Sequence, residues 1–127
     1  QGVLLTGLGT FAVVQERFHG VETVYVGRRP VFQLDQDTLC LQEFTFPSVL
    51  IPGDVETEPL NYRQLSRVTS FPQHVVEACV QETILLYCLQ LRSGRCLPFA
   101  FRAVGVLCCS DGALCMRFYP SCVAALE

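Results

Sequence analysis

Hydrophobic and polar positions alternate along this chain in two different rhythms. From Gly2 to Val14 the apolar residues recur about every second position around Gly7 and Gly9. A polar, glycine-bearing stretch follows, QERFHGVET, and then a second extended run, VYVGRRPVFQL, rich in β-branched and aromatic residues. Period two with these residue types predicts strands, so the two runs form a hairpin, with a further strand edge at Val3 to Leu5. Pro30 has no N–H to give to a ladder, so the second run is expected at a sheet edge or to bulge there.

Further on the rhythm lengthens. LNYRQLSRV, opened by Asn61, predicts a short helix, and SFPQHVVEACVQETILLYCLQLRSG predicts the longest one. Ser70 is expected to cap it, with Pro72 in an early position and Gln73 completing an S-x-x-Q capping box. Val75, Val76, Cys79, Val80, Leu86 and Leu89 follow the three-four spacing of a buried stripe, and Gly94 stands where the helix should stop. Three strands are expected next: CLPFAF, VGVLCC and ALCMRFY, the last two joined by an Asp-Gly turn. Between the two halves, TLCLQEF fits one or two helical turns and FPSVLIPGDVETEP is broken by prolines. Phe44, Phe46, Val49 and Ile51 make this segment a packed connector, since a free linker would hold fewer large apolar groups.

The two strand regions repeat each other weakly. At one constant offset Val3 falls on Phe99, Leu5 on Phe101, Leu8 on Val104, Gly9 on Gly105 and Phe11 on Leu107. The second copy has two helices before its strands and the first has none. The expectation is that the chain opens part-way through a domain.

Composition narrows the function classes. The 127 residues are 50% hydrophobic, enough for a core, and their net charge is −3, with every basic side chain an arginine. An acidic balance does not advertise a polyanion as partner. No uncharged run reaches the roughly 18 residues that cross a bilayer, and the apolar opening lacks the basic start of a signal peptide. Eight cysteines contain no C-x-x-C pair, and several stand inside apolar runs. They are expected to be reduced and mostly buried, behaving as small hydrophobes as in a cytosolic protein. His19 and His74 are not at zinc-finger spacing from them, so no metal site is expected.

Catalysis by a nucleophile needs a base in reach and a third group to orient it. His74 near Glu77 reads as an exposed helix pair and His19 as a turn residue. GLGTF lacks the G-x-G-x-x-G spacing of a phosphate loop. No catalytic residue, cofactor or small-molecule substrate is expected.

GLGTF closely resembles the G-F-G-T-F element of the bacterial HU and IHF proteins, which bend DNA, and RPVF resembles the segment returning from their β-arm. The match is closer to a eukaryotic branch, the paired HU-like domains of the coiled-coil domain-containing protein 81 family. It runs in order through GLGTFAVV, RRPVF, IPGD, PLN, VVEACVQET, VGVL and MRFY. The resemblance implies an α+β fold of tandem HU/IHF-like units, each with helices and a three-stranded antiparallel sheet with a β-hairpin. The first unit, residues 1–34, would lack its N-terminal helices. Residues 35–59 would be the connector, 60–122 the complete second unit and 123–127 a tail.

Function follows less directly than fold. The resemblance implies a non-enzymatic scaffold in the cytoplasm, associated with the centrosome, that binds protein partners or itself. The contact face would be Val3, Leu5, Leu8 and Phe11, left uncovered by the missing helices. The second reading is a weak architectural DNA binder. Bacterial relatives use long basic arms with a wedging proline, whereas Phe11 to Pro30 leaves room for a short hairpin only. Arg17, Arg28 and Arg29 are the candidate nucleic-acid contacts, and Arg92 and Arg95 bracket the end of the long helix.

Overall fold

Alternation turns the first third of the chain into a meander. In the computed structural model, which describes residues 1–126, β1 (Gly2–Leu5), β2 (Gly9–His19) and β3 (Val24–Leu34) pair antiparallel in sequence order. β4 (Thr57–Pro59) returns from the connector and adds to β1 in parallel. β3 is the outer strand, and Pro30 faces Val13 within an unbroken register. The expected edge is there, without the bulge.

The sheet is apolar on both faces because two different segments cover it. Ala12, Val14 and Val31 pack under Val49, Ile51 and Val55 of the connector, while Leu8, Phe32 and Leu34 join the main core on the other side. Phe44 and Phe46 pack against that main core too, so all four expected anchors hold the connector down. Its helical part is a single 3-10 turn at Leu39–Leu41, the lower end of what was expected. Thr45 then clips to the far sheet, accepting from Leu114 N–H at 2.8 Å and donating to the Gly112 carbonyl at 3.0 Å.

The second half supplies the helices. In α1 (Tyr62–Thr69) the Asn61 side chain accepts from Gln64 N–H at 3.0 Å, as the sequence predicts. Ser70 does something else. It adopts a left-handed conformation, φ 62°, and its N–H closes the end of α1 on the Ser66 carbonyl. No side chain caps α2 (Gln73–Arg92), which starts behind Pro72. The capping box is therefore absent: the residue that could have opened α2 is used to close α1. Gly94, φ 84°, follows the last turn as expected. The buried stripe of α2 is also shifted. Ile84, Tyr87, Cys88 and Leu91 face the core with Val80 against it, while Leu86 and Leu89 stay exposed.

β5 (Phe99–Phe101), β6 (Gly105–Ser110) and β7 (Ala113–Phe118) form a second antiparallel meander. Asp111 and Gly112 take the two positive φ values, 49° and 77°, that a tight two-residue hairpin turn requires. Residues 123–126, expected as a tail, belong to α3 (Pro120–Leu126), which packs on β3. Residue 127 lies outside the described residues.

The two meanders correspond residue for residue. Val3 faces Phe11 and Leu5 faces Gly9, while Phe99 faces Leu107 and Phe101 faces Gly105. The turn between the first two strands closes with Leu8 N–H on the Leu5 carbonyl, and its counterpart closes with Val104 N–H on the Phe101 carbonyl, both at 3.0 Å. Gly7 and Ala103, both at positive φ, occupy the same turn position. Exits match as well: Asp35 N–H meets the Leu8 carbonyl and Tyr119 N–H meets the Val104 carbonyl, both at 2.9 Å. The second hairpin is shorter, so Phe32 answers to Met116, Leu34 to Phe118 and Pro30 to Leu114.

Gly9 and Gly105 share one role, since a Cβ on either would run into the backbone of the facing strand, at Gln33 and Arg117 respectively. Gly53 has open space around it and φ outside the left-handed region. Gly9→Ala and Gly105→Ala should each destabilise the fold by about 1–3 kcal/mol through overpacking, and Gly53→Ala should be near neutral. Urea unfolding followed by circular dichroism measures all three.

Candidate functional site

An aromatic chain joins the two meanders. Phe46 meets Phe32 at 5.7 Å between ring centroids, Phe32 meets Phe11 at 4.6 Å, and Phe11 meets Phe101 at 4.9 Å. Phe101 then meets Phe99 at 4.9 Å, and Phe99 meets Tyr87 of α2 at 4.8 Å. Period two places Val3, Leu5 and Phe11 on one sheet face, and the chain of rings brings Phe101 and Phe99 beside it.

Three of these rings, Phe11, Phe99 and Phe101, line an open groove of about 710 Å³. Val3, Leu5, Phe11 and Pro30 line it from the first sheet, Leu65, Val80, Thr83 and Ile84 from α1 and α2, and Cys122 and Leu126 from α3. Nearly every lining group is carbon or sulfur, so water in the groove has few partners. The residues of the expected contact face are placed differently from one another. Val3 is 39% exposed and Leu5 and Phe11 are half-buried in the groove wall, but Leu8 is completely buried. Leu8 occupies the turn between β1 and β2, where it points under α2 into the main core.

The candidate nucleic-acid residues do not gather. Arg28 and Arg29 are successive strand residues and so leave the sheet on opposite faces. Arg29 is ion-paired with Glu16, and Arg28 Nε–H donates to the Leu126 carbonyl at 3.1 Å. Arg17 lies near the hairpin end of β2, beside a surface hollow shared with Asp54 and Glu56. β2 and β3 are eleven residues each, and Gly20 N–H closes the loop on the Thr23 carbonyl at 2.8 Å. The hairpin is therefore longer than the short one expected, and two of its arginines, Arg28 and Arg29, are engaged by a carbonyl and a carboxylate.

The family model of the CCDC81 eukaryotic HU domain 2 matches residues 56–127, more than half of the chain. The chain belongs to that family. The match covers α1, α2, the second meander and α3, so α3 is part of the CCDC81 HU domain and not an appendage to it. α+β HU-like architecture, expected from the blocks GLGTFAVV to MRFY, is what the chain has.

Thiol chemistry in this CCDC81 HU domain differs from expectation in one respect. The cysteines are unbridged, but of the eight only Cys88 is buried, while Cys79, Cys96 and Cys115 are exposed. Burial pushes the Cys88 thiol up to about 12, helped by a hydrogen bond with Cys40. Cys109 is pushed up to about 11 by burial and by its contact with Cys96, the sulfurs 3.4 Å apart. Tyr87 is raised in the same direction, mainly by burial, and its hydroxyl has no hydrogen-bond partner among the described residues. No three His, Cys, Asp or Glu side chains assemble into a metal-holding group among the described residues.

Three predictions follow from these groups. Native protein treated with iodoacetamide near pH 8 should be alkylated at Cys79 and Cys115 well before Cys88, read by peptide mass spectrometry. Because the folded state holds its Cys88 and Tyr87 protons more tightly than the unfolded chain, their contribution to stability is complete below about pH 9 and falls as pH rises towards 12. Urea midpoints across that range check the sign. Tyr87→Phe removes a buried hydroxyl that bonds to nothing, so it should leave stability unchanged or raise it by about 1 kcal/mol.

Proposed function

We propose that this HU-like domain is a non-enzymatic protein-interaction module that works through the apolar groove. The observation that carries the reading is the groove itself: a folded chain of this size presents Val3, Leu5, Phe11, Phe101 and Phe118 along one open cleft, where exposed apolar area of this kind marks a contact site. The matched registers support a further step, that residues 1–34 are a partial HU-like unit in tandem with the complete one that the family model matches, joined by the packed connector. A scaffold role at the centrosome and in the cytoplasm, as the family resemblance implies, fits such a module. Its partners are protein chains.

The alternative, weak architectural DNA binding, has less support. Each phosphate contact needs a free cation on a common face, and Arg28 and Arg29 diverge while Arg29 is held by Glu16. A labelled duplex, intact or nicked, titrated with the protein between about 50 and 200 mM salt, should show no anisotropy change. A steep salt slope that disappears with Arg28→Gln and Arg29→Gln together would restore the DNA reading. In parallel, 1-anilinonaphthalene-8-sulfonate should fluoresce with the native protein and lose most of that signal with Val3→Glu.

A further inference from the structure

The correspondence between the meanders says what shape the groove is built to hold. α2 lies in one core cluster with Leu8, Phe32 and Leu34 of the first meander and Leu107 and Leu114 of the second. All five are buried to at least nine-tenths. Their counterparts under the register match are Val104, Met116, Phe118, Phe11 and Pro30. Every one of these is only half-buried, and four of the five line the groove. The fold thus contains the seat of α2 twice, filled once and open once.

We propose that the open seat takes one amphipathic α-helix that the 127 residues do not themselves supply. That helix would carry apolar side chains at the spacing of Ile84, Tyr87, Cys88 and Leu91. The inference rests on the protein-interaction reading and names the partner's chemistry. Three further features favour a helix. The groove lies on a sheet face, while β4 already occupies the edge of β1. An extended segment laid there would leave its N–H and C=O groups unpaired against carbon, whereas a helix pairs them internally. A small ligand would need converging polar groups to fix its orientation, and Thr83 and Gln1 are almost the only ones in the lining.

A second copy of the chain fits less well. The buried side of its α2 is already engaged, and the leucines left exposed on that helix, Leu85, Leu86 and Leu89, are not among the residues that line its own groove. Their insertion into a neighbour's groove would be head-to-tail, a contact that does not close on two copies.

The test uses the full chain and a fluorescent peptide of residues 72–93 carrying L85Q, L86Q and L89Q, which keeps only the inward stripe of α2. Anisotropy should show saturable one-to-one binding in the micromolar range, with peptide helicity rising on binding. Val3→Glu in the protein should weaken it at least tenfold, as should I84E with L91E in the peptide. Thermal melts of the Val3→Glu protein, and of a second variant, Cys122→Glu, establish that loss of binding is not loss of fold. Absence of saturable binding to folded protein would overturn the helix, and if the dye signal still responded to Val3→Glu, the interaction reading would stand without it. Light scattering that shows dimers broken by Val3→Glu would overturn it in favour of a second copy. Arginine-dependent DNA binding, with no dye signal, would remove the underlying reading as well.

Discussion

Everything in this molecule depends on the contact between Phe11 and Phe101, where a ring from the first meander packs edge-on against a ring from the second at 4.9 Å. Neither meander has enough apolar surface of its own to form a stable sheet, because a three-stranded ribbon needs a layer on its buried face. α2 supplies that layer to both at once, with Leu8 and Phe32 of the first and Leu107 and Leu114 of the second in one core cluster with it. The aromatic chain from Phe46 to Tyr87 fixes how far apart the two sheets stand under that single helix. The groove is the consequence, since one helix covers two sheets that between them present room for two.

The connector explains why the first sheet remains well covered on its outer face. It leaves β3, bonds to β7 through Thr45, crosses under Ala12, Val14 and Val31 with Val49, Ile51 and Val55, and finally becomes the outer strand beside β1. A segment with three prolines and little regular structure thus ties the two halves together at both ends. Its backbone needs are met by clips such as Gln33 to the Val49 carbonyl at 3.2 Å and Gln36 to the Phe44 carbonyl at 2.9 Å.

What could be read from the sequence and what could not divide along physical lines. Strands, hairpins, the Asp-Gly turn and the edge position of Pro30 were legible because they depend on local period and on backbone chemistry. The repeat was legible because two glycines must stand at the same place against a facing strand, and only glycine fits. The inward face of α2 was not. ILLYCL, residues 84–89, is apolar on all sides, so the three-four spacing fits two stripes, and only the position of the two sheets chooses Ile84, Tyr87 and Cys88 over Leu86 and Leu89. Ser70 was ambiguous in the same way: one serine between two helices can open the second or close the first, and its side chain carries no mark of which. Of the residues named for the candidate contact face, Val3, Leu5 and Phe11 share one sheet face as alternation predicts, whereas Leu8 belongs to a turn, where alternation has no force.

Electrostatics and shape support the proposed reading by different routes. A binder of polyanions needs cations that are free, convergent and numerous, and in this sheet the strand geometry alone sends Arg28 and Arg29 to opposite faces, after which Glu16 and the Leu126 carbonyl engage one each. An apolar cleft needs nothing of that kind; it needs only a partner whose buried side matches its own spacing. Here that spacing is not arbitrary. Because Val104, Phe118, Phe11 and Pro30 answer position by position to residues already buried beneath α2, the surface that remains open has the form of a surface this fold already knows how to fill.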